Sequence, residues 1–415
     1  MKLLNRRFIG SSPFRVMGWP HFRMLWLGLT ASNIGTWLRQ IAVSVLVFDS
    51  TGSPFLVGLT NVFGFVPVLL LTLLGGRTVD RTSSRAVLIG AQSFSMCISA
   101  TLAILAILDL TPLPVLFGAV FLLGSSYAFT KPAAQALLPQ LVPPDALADA
   151  VAVNGLQFTL GLTFGPAVAT LVIKSFGMPA AFAVDAATFG LLLLAAVRLP
   201  ASRPAESRGS VSSALKFVAR KRVLLVLLTT IAASTIAIEI AKTLMPIFVV
   251  SSFGLDSANA GYLIAVFGVG TLVGSIIAPR LGARLGVTAA VLGLLTLGIT
   301  VIAFSNTEHL AMAIPMLFGA GVSNLLSFTV ITEMFFRLVP VQMRGRVFAV
   351  HALSFLGITP IAAFFSGAVA EAAGVPAAGS ITGAFAFLAA FVLIGYRDDW
   401  NREAVDAASM PESRS

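Results

Sequence analysis

Gly75-Gly76-Arg77-Thr78-Val79-Asp80-Arg81-Thr82-Ser83-Ser84-Arg85 joins two long apolar segments, and the organisation of the chain can be read outward from it. A carboxylate ends one apolar run, an arginine stands beside it, and Arg85 opens the next run one helical turn later, so the stretch reads as a short charged loop at a membrane surface. Asp80 either neutralises arginines that flank a span on its cytoplasmic side, or locks the loop against a neighbouring helix end and gates a conformational change. Gly75, Arg81 and Arg85 recur as Gly274, Arg280 and Arg284 at one constant offset close to half the chain, with Pro279 opposite Asp80. Leu141-Val142-Pro143 running into Val153-Asn154-Gly155-Leu156-Gln157-Phe158 is matched by Leu338-Val339-Pro340 running into Val350-His351-Ala352-Leu353-Ser354-Phe355 at a similar offset. Two such matches predict a duplicated architecture with both halves in the same orientation.

Hydrophobic residues are 57% of the 415 and charged residues 11%, a balance that no water-soluble fold of this length can cover with polar surface. A span needs about 20 apolar residues, and runs of that length fill most of the chain. The net charge of +10 raises a nucleic-acid reading, but the placement of the charge opposes it. Of the 27 Lys and Arg, all except Lys174, Arg39 and Lys242 fall in the amino-terminal arm, the tail and every second loop. That alternation is the positive-inside pattern and predicts an even number of spans with both termini cytoplasmic. A single cysteine, Cys97, excludes an intramolecular disulfide and a cysteine metal cluster. The arm carries Lys2, Arg6, Arg7, Arg15 and Arg23 without a short apolar core and small-residue cleavage site, so no cleaved signal is expected.

Hydropathy and loop residues predict an all-α membrane protein of twelve transmembrane helices in two six-helix halves. The expected spans are 22–48, 55–76, 86–108, 113–134, 146–174 and 178–198, then 222–250, 258–281, 286–305, 309–336, 346–371 and 376–396. This divides the chain into a cytoplasmic arm at 1–21, a first half at 22–198, a soluble linker at 199–220, a second half at 221–397, and a polar, disordered tail at 398–415. Gly161-Leu162-Thr163-Phe164-Gly165-Pro166 sets two glycines on one helix face before a proline that removes a backbone donor, suited to close packing and a bend. Gly268-Val269-Gly270 with Gly274 lies mid-span without a preceding strand, so it reads as packing and not as a nucleotide site.

These features together resemble the major facilitator superfamily, and within it the bacterial drug and siderophore exporters related to the enterobactin exporter and the macrolide efflux proteins. The residues that carry the resemblance are Asn33-Ile34-Gly35-Thr36-Trp37, Thr51-Gly52-Ser53-Pro54, Gly75 to Arg85, Leu138-Pro139-Gln140-Leu141-Val142-Pro143, Gly165-Pro166 and Arg344-Gly345-Arg346-Val347. The resemblance implies that Gly76, Asp80, Arg81 and Arg85 belong to a loop fastening the halves on the cytoplasmic side. It likewise implies that Gly161, Gly165 and Pro166 form a fifth-helix motif associated with export by exchange. Arg77, Ser83, Ser84 and Ala167-Val168-Ala169 depart from the family pattern.

An ionisable group in hydrocarbon costs several kcal/mol unless it meets a cavity or a partner. Asp185 has no basic neighbour in sequence; it is either an unpaired buried carboxylate suited to proton exchange or a hydrated group at the outer rim. Glu239 and Lys242 share a helix face and can pair, although either could touch a substrate. Arg39 and Gln40, with Asn33 in the same span, are cavity candidates; Arg39 either attracts anionic substrates or satisfies backbone carbonyls. Glu333 with Arg337, and Arg344 with Arg346, are candidates for an inner gate. His351 stands where the first half has Asn154 and is either a proton carrier or simply packed.

The expected activity is secondary transport, with Asp185 first and Glu239 second as proton-coupling residues. A small amphipathic drug, metabolite or siderophore would leave across the cytoplasmic membrane of a bacterium as protons enter. Import and lipid flipping are alternatives within the same fold. A membrane-embedded enzyme lacks its motifs here, with no His-Glu-x-x-His, Gly-x-Ser-x-Gly or phosphate loop, and a receptor lacks its soluble domain. The expected partners are the substrate, protons and the bilayer, with no nucleic acid, cofactor or metal, and the expected state is a monomer.

Overall fold

Helices make up nearly all of the computed structural model, which describes residues 13–202, 204, 211–340 and 343–400 and holds no strand among them. After a 3-10 turn at Pro13–Gly18 come α1 (Pro20–Thr51), α2 (Pro54–Arg81), α3 (Ser84–Ile107), α4 (Leu113–Leu141), α5 (Leu147–Phe176) and α6 (Met178–Arg198). They are followed by α7 (Val211–Arg220), α8 (Arg222–Thr243), α9 (Met245–Phe253), α10 (Ala260–Leu285) and α11 (Val287–Ser305). The last four are α12 (Leu310–Arg337), α13 (Arg344–Leu356), α14 (Ile358–Ala373) and α15 (Val375–Gly395).

Among the described residues, 11 helical segments are long and apolar enough to cross a membrane. The first expected span, α1, is long enough at 32 residues but is not one of them, because Asn33, Arg39 and Gln40 dilute its apolar run. A helix this polar must turn those residues to protein or water, since lipid offers them no partners.

Three expected helix bounds need correction. Helix α2 continues to Arg81, so Gly75 to Arg81 is helix and only Thr82 and Ser83 separate it from α3. The expected span at 222–250 is broken at Leu244 into α8 and α9, because Pro246 has no N–H for the Lys242 carbonyl. A turn at Gly357 divides the span at 346–371 into α13 and α14, just ahead of Pro360. Within the expected linker at 199–220 lies α7.

The tail keeps its helix through Trp400, whose indole packs on α12 beside the Met334 carbonyl, so the disorder expected from Asp398 does not begin there. The expected arm 1–21 includes the Pro13–Gly18 turn and the start of α1. Residues 1–12 of that arm, 203 and 205–210 of the linker, 341–342, and 401–415 of the tail lie outside the described residues.

The helices gather into two compact units, one formed by residues 1–42 and 67–206 and the other by residues 43–66 and 207–415. In the first, α3 lies against α4 and α6, and α5 packs on α6 and the Pro13–Gly18 turn. Phe22, Leu25, Leu88, Leu137 and Leu192 form its buried core. In the second, α11 lies against α12 and α15 in the same way that α3 lies against α4 and α6, while α8 packs on α14 and α15. Its core is built on Leu224, Leu227, Ile231, Leu294 and Phe335.

The two units also share a turn. Gly177 (φ 82°) passes from α5 to α6 and Gly374 (φ 84°) from α14 to α15, each two residues before a proline that starts the next helix. Only glycine takes a positive φ without strain, and proline fits the first turn of a helix, where its missing N–H is not needed. Close backbone approach holds the helices where apolar burial cannot discriminate between lipid and protein. A Cβ on Gly274 of α10 would lie 2.7 Å from the Val322 carbonyl of α12, and one on Gly165 of α5 would lie 2.7 Å from the Ile34 carbonyl of α1.

Candidate functional site

In the first unit, intramembrane charge collects where α1, α3 and α6 meet. Asp185 of α6 is fully buried. Arg39 of α1, its side chain 11% exposed, brings Nε to 3.2 Å from Asp185 Oδ2, an ion-pair distance without hydrogen-bond alignment. Ser99 of α3 donates to the same oxygen at 2.6 Å. Oδ1, buried on the other side of the carboxylate, has no hydrogen-bond partner among the described residues.

Gly35 of α1 makes the approach possible, because a Cβ there would come within 2.9 Å of Oδ1 and would overlap the Thr188 hydroxyl. Asp185 is therefore neither unpaired nor hydrated at a rim, the two states open to it on sequence alone. Its ion-pair partner is Arg39.

Ser99 belongs to a buried polar seam on α3. Ser95 donates to Ser126 of α4 at 2.7 Å, and Gln92 donates to Thr130 of α4 at 2.9 Å. Gln92, Ser95 and Ser99 follow at helical spacing inside an apolar run, so this seam was visible in the sequence and was not singled out. Asn33, expected to face a cavity, is instead buried between α1 and α5. Its amide nitrogen donates to the Leu29 carbonyl at 2.9 Å and to Gln157 at 3.1 Å. Gly161 and Gly165 of the expected fifth-helix motif lie on the same contact, against Asn33 and Trp37, with Pro166 buried in the next position of α5. Gln40 is half-buried next to Arg39.

Of the residues expected to fasten the stretch, Gly76, Asp80, Arg81 and Arg85, only the last bonds to a neighbouring helix end among the described residues. Asp80 and Arg81 are exposed on the last turn of α2, and Gly76 has open space beside it. Arg85 is the residue that grips a neighbouring helix end. Its Nε donates to the Ala196 carbonyl at 3.1 Å and its Nη2 to the Val197 carbonyl, both in the last turn of α6. A cation is favoured there because unsatisfied carbonyls give a helix C-terminus partial negative charge. Ser202 completes the joint, accepting from the Arg85 amide at 2.9 Å and lying 2.9 Å from the Ser83 hydroxyl.

In the second unit, Glu239 and Lys242 pair on α8 with Nζ 2.9 Å from Oε2, the carboxylate 1% and the ammonium side chain 14% exposed. Thr243 donates to the other carboxylate oxygen and accepts from Asn61 of α2 at 3.2 Å. Glu333 and Arg337 pair at 2.6 Å on the exposed end of α12. The side chains of Arg344 and Arg346 lie outside the described residues. His351 is buried among Phe328, Phe335, Phe336, Phe348 and Phe355, with Nε2 3.1 Å from the Thr332 hydroxyl.

No group of three or more metal-ligating side chains occurs among the described residues. The intramembrane carboxylates Asp185 and Glu239 are each held by one cation and one hydroxyl.

The family model described as transmembrane secretion effector matches residues 11–413. The chain belongs to that family of major facilitator transporters. This transporter is 26% identical over 181 residues to the macrolide efflux protein A of Streptococcus pyogenes, an alignment covering 43% of this chain and 45% of the relative. It is 25% identical over 162 residues to the staphyloferrin A transporter of Staphylococcus aureus, covering 39% and 41%. The multidrug efflux pump Tap of Mycolicibacterium fortuitum is 24% identical over 387 residues, covering 86% of this chain and 91% of the pump.

The transporter thus spans less than half the length of the first two relatives and most of the third. Its fold matches that of a bacterial homologue of the human lysosomal transporter Spinster, with a TM-score of 0.78 at 14% identity over 95% of this chain and 99% of that one. It is a multi-pass membrane transporter and not an enzyme.

Proposed function

We propose that this transporter exports a small amphipathic molecule across a bacterial cytoplasmic membrane while a proton enters, with Asp185 as the residue that takes up and gives back the proton. The observation that carries this is the buried Asp185 carboxylate, which has one ion-pair partner, one hydroxyl donor and one oxygen left unbonded. Ionised, it is held by Arg39; protonated, it loses that attraction and gains a donor of its own. The two states favour different packings of α1 and α6 around Gly35, and a proton can shift an equilibrium only through such a difference. Two halves, residues 22–198 and 221–397, would be the moving parts, with both termini cytoplasmic.

The relatives named for macrolide efflux and multidrug efflux support export as the direction, and the staphyloferrin A transporter supports a siderophore as a further cargo class. Fluorescent amphiphiles and an iron chelate, offered to inside-out vesicles containing the protein, test this directly. At least one is expected to accumulate only under an imposed pH gradient, and Asp185→Asn is expected to abolish that accumulation. Accumulation driven equally well by the gradient in Asp185→Asn removes Asp185 from the mechanism.

A further inference from the structure

The two ends of α2 are held differently. At its start, Glu371 of α14 accepts from the Ser53 hydroxyl at 2.9 Å and from the Phe55 amide at 3.2 Å. Phe55 meets Phe364 edge-on, and a Cβ on Gly58 would lie 3.3 Å from the Gly367 Cα. Towards the other end, a Cβ on Gly75 would overlap the Ala128 carbonyl of α4, and Val79 joins the core of the first unit. The face turned away from Gly75 carries Leu70, Leu73 and Leu74, all largely exposed, and then Arg77 and Arg81. Their spacing places the five on one stripe of the helix, apolar first and cationic at its end. Neither guanidinium has a hydrogen bond or an ion pair among the described residues, although Asp80 stands between them in sequence. Arg85, the third arginine at this end, is already spent on the Ala196 and Val197 carbonyls of α6.

Beside this stripe, within the same unit, a groove of about 340 Å³ opens between α2, α3 and α4. Ala91 and Phe94 of α3 and Phe129 of α4 give it carbon walls. The hydroxyls in its lining have already given their protons to backbone carbonyls: Thr78 donates to Leu74, Ser125 to Phe121 and Ser126 to Ala91. Gly90, on the α3 face that carries Val87 and Phe94, has open space beside it. Thr78 is the α2 residue of the lining, and Arg81 follows it one turn later.

The duplicated half fills the corresponding positions. Ser95 meets Ser126 in the first unit as Thr296 meets Ser323 in the second. Counted from these paired contacts, Val291, Leu292 and Val322 stand where the first unit has Gly90, Ala91 and Ser125. The room in the groove therefore belongs to one half and is not inherited from the repeat.

We propose that the groove holds an acyl chain of an anionic phospholipid whose phosphate lies on Arg81 and Arg77. An acyl chain matches a lining with no hydroxyl proton left to give, and a guanidinium presents paired N–H groups that fit a phosphate. A free anion would satisfy the arginines and leave the groove and the leucine stripe uncovered. A zwitterionic headgroup would bring a further cation to two arginines that have no carboxylate partner, so phosphatidylglycerol is favoured over phosphatidylethanolamine.

A photo-reactive p-benzoylphenylalanine placed at position 94 crosslinks to the C–H bonds of whatever occupies the groove. The protein is irradiated in nanodiscs of equal phosphatidylglycerol and phosphatidylethanolamine, and the attached lipid is identified by mass spectrometry. The same residue at position 391, an exposed phenylalanine in the last turns of α15, samples the surrounding bilayer. The ratio of phosphatidylglycerol to phosphatidylethanolamine adducts at 94 is expected to exceed that at 391 about tenfold, the selectivity that two arginines beside an anionic headgroup supply. Arg77→Gln/Arg81→Gln should bring the ratio at 94 down to that at 391 while the total adduct persists, because the acyl chain still enters. Arg77→Lys/Arg81→Lys should keep most of the preference, and Gly90→Leu should lower the total adduct at 94 by filling the groove. Absence of adduct at 94, equal ratios at the two positions, or a preference for phosphatidylethanolamine at 94 overturns the proposal. So does a ratio unmoved by the glutamine pair, or a total adduct unmoved by Gly90→Leu.

Discussion

Arg39→Leu is expected to destabilise the first unit by about 3–5 kcal/mol, because it leaves the Asp185 carboxylate buried with a single hydroxyl donor and no counter-charge. In this arrangement Asp185 is fully buried against Gly35 and Ser99, so solvent does not replace the lost counter-charge. The single variant should unfold at a clearly lower temperature in detergent, followed by loss of the monodisperse species. The double variant Arg39→Leu/Asp185→Leu should recover most of that loss, since an ion pair replaced by apolar groups of similar volume is close to neutral. If the double variant is no more stable than the single one, the pair is not the source of the cost. Gradient-driven transport should be absent from both, so stability and coupling separate in the double variant.

Gly165→Ala is the second large effect. The added Cβ would sit 2.5 Å from the Trp37 Cβ and 2.7 Å from the Ile34 carbonyl, neither of which is the movable end of a side chain. Helix α5 must then withdraw from α1, which strains the neighbouring Asn33–Gln157 bond as well. Overpacking of this kind costs about 1–3 kcal/mol, and Gly165→Leu should exceed that range. Gly76→Ala provides the control: nothing lies within 4 Å of its added Cβ, so thermal stability should not change. Equal losses at Gly165 and Gly76 would show that the α1–α5 contact does not decide the outcome, since alanine is the better helix former at both positions.

Helical class and membrane residence were legible because hydropathy and the alternation of basic loops both follow from transfer between water and lipid. The same signals misplace helix ends. Charge at Arg77, Asp80 and Arg81 marks where lipid ends, and a helix can continue into water, as α2 does. Conversely, the apolar run at 222–250 is continuous in hydropathy across Pro246, and lipid does not report that the backbone hydrogen bonds have changed partners.

Pairs close in sequence were accessible: the spacing of Glu239 and Lys242 on a helix predicts their contact, and they are 2.9 Å apart. The partner of Asp185 was not, since Arg39 reaches it only through the packing of α1 on α6, although each residue stood out alone as an ionisable group in an apolar run. Asn61, Thr243 and Glu371 gave no signal of their own. A lone polar residue in a span acquires meaning only from the helix opposite.

The contact of α2 with α14 at Gly58 and Gly367 is backbone against backbone, with the Gly58 Cβ position overlying the Ala363 carbonyl. Side chains that separate regain rotamer freedom and must surrender it on meeting again, at up to about 2 kcal/mol for a long one. Two glycines have no such freedom to surrender. At these two positions helices that parted could meet again without a rotamer search, leaving Phe55, Phe364 and Glu371 as the side chains that would have to be re-ordered.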